Sequence, residues 1–263
     1  MVKTVFVCED SMTAMLSAIY DAWKGFRNKD AGIELKGRLE HQLFCDYVEV
    51  QADEKKAAAV VRMIRKNLGQ QAYFHIYHAL LSENAKKADA VFHVLQEARK
   101  IPNSKKIMDH LTDFYVKTLF TLSRNVRNEV HFHIELLRFR ELENGILFAE
   151  ILPKNRILTC IGDHFANRFP LENWIICDKT HREFLVHKTR YDWVLVTGEK
   201  INWEAADRVS EQEKEYARLW KGFFQAISIE ERKNPVCQRN HLPFRYRGDM
   251  TEFEEDNSHL NRW

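Results

Sequence analysis

The sequence predicts an α+β fold: a helical N-terminal half, an antiparallel sheet in the second half and a C-terminal helical arm. Three observations carry this. Only 9 Gly and 5 Pro occur in 263 residues, which favours long helices over a loop-rich sandwich. Apolar stripes at helical spacing fill residues 53–130. After residue 134 the pattern changes to short apolar runs around Asn144-Gly145, a strong hairpin signal.

Residues 3–8 read as a strand, and Asp10 or Ser11 is a suitable N-cap for a helix over 12–26. Met15, Leu16, Ile19, Ala22 and Trp23 mark its buried face. Residues 27–40 are charged and read as loop. Tyr47–Val50 is a short strand able to pair with residues 3–8. Helices are expected over 53–68, ending at Gly69, then over 72–81, 86–98 and 104–130. The hairpin 136–152 follows, then a helix over 156–168 and strands over 174–178, 183–187 and 193–197. The last helix spans 203–227. Its Tyr216, Leu219, Trp220, Phe223, Phe224 and Ile227 form a stripe expected to dock on the body or on a partner. The expected organisation is a body over 1–202, helical to 134 and sheet from 135 to 202, with an arm over 203–263 packed on it.

Lys plus Arg number 40 and Asp plus Glu 38, a net charge of +2, which excludes a uniformly basic nucleic-acid wrapper but not a local patch. No run approaches the roughly 20 apolar residues of a membrane span. The first residues lack the pattern of a secretory signal. The 5 cysteines are scattered, with no Cys-x-x-Cys, as expected of reduced thiols in a cytoplasmic protein. No Gly-rich phosphate loop, nucleophile elbow or metalloprotease motif occurs, so no cofactor and no metal site is expected.

A two-residue Asn144-Gly145 turn would set Arg140 opposite Ala149 and Arg138 opposite Ile151. Two arginines on an otherwise apolar face then meet either a bound anion or an internal carboxylate. His164 and Arg168 are i, i+4 neighbours flanking an apolar stripe, and read as phosphate ligands or as a packed His beside an ion-paired Arg. Glu129 and His131 are the candidate acid/base pair, near a helix-to-strand junction that also holds His133. Residues 230–247 hold 5 Lys or Arg, among them Arg232, Lys233 and Arg245, against 2 Glu. Such a stretch either tracks a nucleic-acid backbone or is a solvated face.

The opening strand and its Met/Leu/Ile/Trp helix, and Glu129–His131 running into Leu137-Arg138-Phe139-Arg140-Glu141, resemble a bacterial family of DNA repair or DNA metabolism proteins. Asp163-His164-Phe165-Ala166-Asn167-Arg168-Phe169-Pro170, followed by Trp174–Asp178 and Arg182, is similar to the family's most recognisable motif. Ile229–Pro235 and Leu242-Pro243-Phe244-Arg245-Tyr246 resemble its closing signature. The chain departs from the pattern at Phe132, His133, Glu135 and Arg247-Gly248. The resemblance implies a domain of unknown function found beside a radical S-adenosylmethionine partner protein, and fused in some members to a uracil-DNA glycosylase-like domain. It implies a role in DNA repair or modification, and no established reaction.

These readings converge on an accessory protein that binds DNA, a partner enzyme or both, through Arg138, Arg140, His164, Arg168, Arg232, Lys233 and Arg245. The alternatives are a protein–protein adaptor with structural arginines, and an enzyme acting on DNA through Glu129, His131 and His164. An adaptor predicts an exposed aromatic patch, and a nucleic-acid binder predicts steep salt dependence.

Overall fold

A computed structural model describes residues 3–26, 31–38, 43–198, 206–247 and 250–253. The chain forms two compact units, Met1–Asn128 and Glu129–Trp263. The fold is mixed α and β, with helices dominating the first half, a mostly antiparallel sheet later and a helix toward the C-terminus. Among the described residues, no helix is long and apolar enough to cross a membrane.

The first unit opens with β1 (Lys3–Cys8), α1 (Met12–Phe26), β2 (Ala31–Leu35) and β3 (Cys45–Glu49), then α2 (Glu54–Asn67), α3 (Gly69–Leu80) and α4 (Lys87–Ala98). Ser11 caps α1, its Oγ accepting from Ala14 N at 3.2 Å. Asp53 caps α2 through Lys55 N and Lys56 N, and Gly69 takes the left-handed φ of +87° where α2 gives way to α3. The strands form a parallel sheet in the order β2-β1-β3, so the expected partnership of residues 3–8 with Tyr47 is present, with Val5 opposite Tyr47.

Two expectations for this unit are corrected. Residues 31–35 are a fully buried strand, not loop. Their one charge, Glu34, is buried and paired with Lys86 Nζ at 3.0 Å. Ala-Gly-Ile-Glu-Leu has neither strand alternation nor high β-propensity, so its pairing with β1 is a tertiary decision. Residues 27–30 and 39–40 lie outside the described residues. The helix expected over 104–130 is two elements, a 3-10 helix at Ser104–Asp109 and α5 (Phe114–Leu136). Asp113 makes the break, because its carboxylate accepts from Tyr115 N and Val116 N, both at 2.9 Å, and caps a new helix. The unit boundary falls within α5.

In the second unit, β4 (Arg140–Glu141), β5 (Leu147–Ile151), β6 (Trp174–Asp178), β7 (Glu183–His187) and β8 (Val194–Thr197) form one sheet in that order, and α6 (Leu158–Arg168) connects β5 to β6. The sheet is antiparallel except at β5–β6, a parallel pair. A helical crossover between β5 and β6 permits this, since a tight turn cannot join parallel strands. Trp174 is fully buried, its ring stacked 4.9 Å from His187 and edge-on to Phe165.

The hairpin register is also corrected. Leu142 N donates to Ile146 O at 2.9 Å, so Glu143, Asn144 and Gly145 make a three-residue loop with Gly145 at φ +76°. Arg140 therefore faces Phe148, not Ala149, and it shares its face with Phe148 and Glu150 rather than with Ala149 and Ile151.

Beyond the sheet come α7 (Glu211–Ile227), a 3-10 turn at Glu230–Arg232, α8 (Pro235–His241), and 3-10 turns at Phe244–Tyr246 and Thr251–Phe253. The helix expected from 203 begins at Glu211, capped by Ser210 Oγ accepting from Glu213 N at 3.1 Å. Residues 203–205 lie outside the described residues. Within this chain the stripe of α7 is largely uncovered, which leaves the partner alternative for this face: Tyr216, Leu219, Trp220, Phe223 and Ile227 are exposed, and no residue of the helix is buried.

Candidate functional site

The site lies within the second unit, where the last turns of α5 meet the segment after α8. Because α5 runs on to Leu136, residues 129, 131 and 133 are helical. Glu129 and His133, four apart, share the inward face, while His131 points out. Glu129 is 3 % exposed and accepts from Lys154 N at 3.0 Å, Asn155 N at 2.9 Å and Asn155 Nδ2 at 2.6 Å. Arg245 Nη1 stands 3.8 Å from the same carboxylate. Glu129 thus ties the 154–155 loop to the helix, with both oxygens engaged. His131 pairs with Glu135 at 3.1 Å on the exposed face, so the expected acid/base pair is not brought together.

His133 has the strongest perturbation near the site. Burial pushes its imidazole down to about 4, Glu129 and Asp178 oppose this, and Arg245 adds to it. At neutral pH the ring is uncharged. Its Nε2 is buried with no hydrogen-bond partner among the described residues. Tyr246 packs edge-on against the ring at 5.1 Å and stacks on Phe132 at 5.1 Å, which fixes the C-terminal segment to α5.

A cavity of about 30 Å³, room for one water, is lined by His133, Arg138, Glu150, Arg245 and Tyr246, closed by aliphatic side chains. Arg138 is exposed, with Nη1 3.4 Å from Leu136 O. The Arg245 side chain is 42 % exposed; its Nη2 donates to the Tyr246 hydroxyl at 2.6 Å. Two arginines from distant parts of the sequence therefore border one cavity that a neutral imidazole also lines. Glu150, the carboxylate in the wall, is compensated by Arg140 at 3.1 Å and Lys179 at 3.2 Å.

Arg140 takes the internal ion-pair alternative. Besides Glu150 it lies over the Phe148 ring at 5.1 Å and reaches Ala206 O at 3.4 Å. His164 and Arg168 are exposed on α6, against Phe165 and Phe169, and line neither cavity described here. Arg232 and Lys233 are exposed and likewise away from both cavities. Among the described residues, no three His, Cys, Asp or Glu side chains gather in a way that could hold a metal ion.

A larger groove of about 560 Å³ opens along α7, between Tyr216, Trp220 and Phe223 on one side and Arg138, Phe139 and Glu252 on the other. Arg138 lines both spaces. Trp220 Nε1 donates to Glu252 at 3.1 Å, which orients the indole at the groove wall.

Fold and site together define a mixed α and β protein with a cationic cavity and an aromatic groove in its second unit. Residues 85–252 match the family described as a domain of unknown function, DUF4130, and the chain belongs to that family. The match takes in every candidate residue named above. No curated protein matches the chain.

Sequence reasoning missed His133 as a site residue. The signal was its i, i+4 spacing from Glu129, which becomes meaningful once α5 extends past Val130.

Proposed function

We propose that this protein is a DNA-repair or DNA-metabolism accessory protein that holds nucleic-acid phosphates through Arg138 and Arg245, beside a partner enzyme of the radical S-adenosylmethionine class. The carrying observation is that both arginines line one cavity, with His133 adding no charge of its own. Guanidiniums bind phosphate oxygens in bidentate fashion, and both are accessible to solvent. The family resemblance supplies the DNA context and the partner class. The 5 cysteines are free thiols, as a cytoplasmic protein would keep them.

Fluorescence anisotropy with labelled DNA over a salt series tests this. Arg138→Ala and Arg245→Ala should each weaken binding and reduce the salt slope by about 1. Folded variants with unchanged affinity would remove the phosphate site. A second reading, a protein–protein adaptor, is favoured by the exposed aromatic face of α7. It predicts capture of a protein partner with little salt dependence.

A further inference from the structure

We infer that the α7 groove receives unpaired bases of a single-stranded nucleic acid whose phosphates rest on Arg138 and Arg245. This rests on the phosphate reading above and names its substrate class. The groove, about 560 Å³, falls in the size range of small-ligand sites, unlike the one-water cavity beside it. Tyr216, Trp220 and Phe223 present exposed rings from successive turns of one helix, about 5.4 Å apart along its axis. Such rings stack bases with little regard to sequence, because every base has a π-face. Arg138 borders both spaces, so a phosphate held there has its own base within reach of the groove.

The two acidic residues of the groove fit the same occupant. Glu213 and Glu252 repel phosphates, which keeps the backbone on the arginine side. Their oxygens also accept hydrogen bonds from exocyclic amino groups of bases. Glu252 already holds the Trp220 indole, and Glu213 accepts from Glu141 N at 3.3 Å, so both are positioned before a base arrives. A duplex, whose bases are paired and stacked, cannot offer a base to this groove without unstacking it.

The test uses the full chain with three labelled probes: a single-stranded DNA 12-mer, the same strand with abasic sites at every second position, and the duplex. The intact strand should bind about tenfold or more tightly than the abasic strand. Trp220→Ala and Tyr216→Ala should each cost single-strand affinity a similar factor and leave duplex affinity unchanged, while Trp220→Phe restores most of the loss. Arg138→Ala should weaken all three probes. The abasic comparison uses unaltered protein, so misfolding of a variant cannot mask the result. Equal affinity for intact and abasic strands overturns the base-binding groove, and so does unchanged single-strand binding by Trp220→Ala. If Arg138→Ala still weakens every probe, the phosphate reading survives that failure and the groove falls to a protein partner. Absence of binding to any probe overturns both.

Discussion

α1 and α7 have the same signature in sequence, an apolar stripe on an amphipathic helix, and opposite fates in the structure. Ile19 and Ala22 of α1 are 0 % exposed, whereas Trp220 and Phe223 of α7 are 44 % and 54 % exposed. α1 packs on β1, β2, α2 and α4, with Ala14, Ala18 and Ala22 on the buried side, where small side chains permit close approach. α7 is held chiefly at the Thr251–Phe253 turn, where Phe224 meets Phe253 edge-on at 6.1 Å. Helical periodicity states that a face exists. Whether neighbouring elements cover it depends on residues far away in sequence.

The sharpest way to break this comparison is to truncate matched positions. Ile19→Ala should destabilise the protein by about 2–5 kcal/mol, measured by urea or thermal unfolding, because it empties a packed core site. α5 is an intermediate case, a helix face covered by polar partners. Glu129→Ala should cost roughly 3 kcal/mol in the same assay, since it leaves Lys154 N, Asn155 N and Asn155 Nδ2 without their acceptor. If that variant melts like the parent, the carboxylate does not hold the loop.

The same face has a pH signature. His133 has its folded value lowered from 6.5 to about 4, so the unfolded chain takes up the proton first. Stability should be full above pH 6.5 and fall as pH drops from there through about 4, by up to roughly 3 kcal/mol. His133→Phe should flatten this dependence, and an unchanged pH profile in that variant would count against burial as its cause. The smallest expected effect belongs to α7. Phe223→Ala should change stability by no more than about 0.5 kcal/mol, as for an exposed position. A loss matching that of Ile19→Ala would show that the α7 face is covered in solution.

Much of the site was legible only as residue types. Arg138 and Arg245 stood out as basic residues in suggestive contexts, but the sequence grouped Arg138 with Arg140, two positions away. Arg138 precedes β4 and borders the cavity that Arg245 also lines, whereas Arg140 lies within β4, where the three-residue loop sets it on the face of Glu150. The parity of a strand depends on a single residue of loop length, and Asn-Gly serves both two- and three-residue loops. His133 was obscured in a similar way, by placing the end of α5 one and a half turns early.

From the sequence alone came the fold class, most helices of the first unit with their caps, the strands around Trp174 and Phe184, and the amphipathic face of α7. These rest on local periodicity and on side chains that bond their own backbone within a few residues. Tertiary structure decided the buried β2 strand, the hairpin register, the neutral state of His133, the shared cavity of Arg138 and Arg245 and the exposure of α7. Each depends on which distant groups supply hydrogen bonds, charge or apolar cover, and those partners are set by the packing of the whole unit rather than by neighbours in the chain.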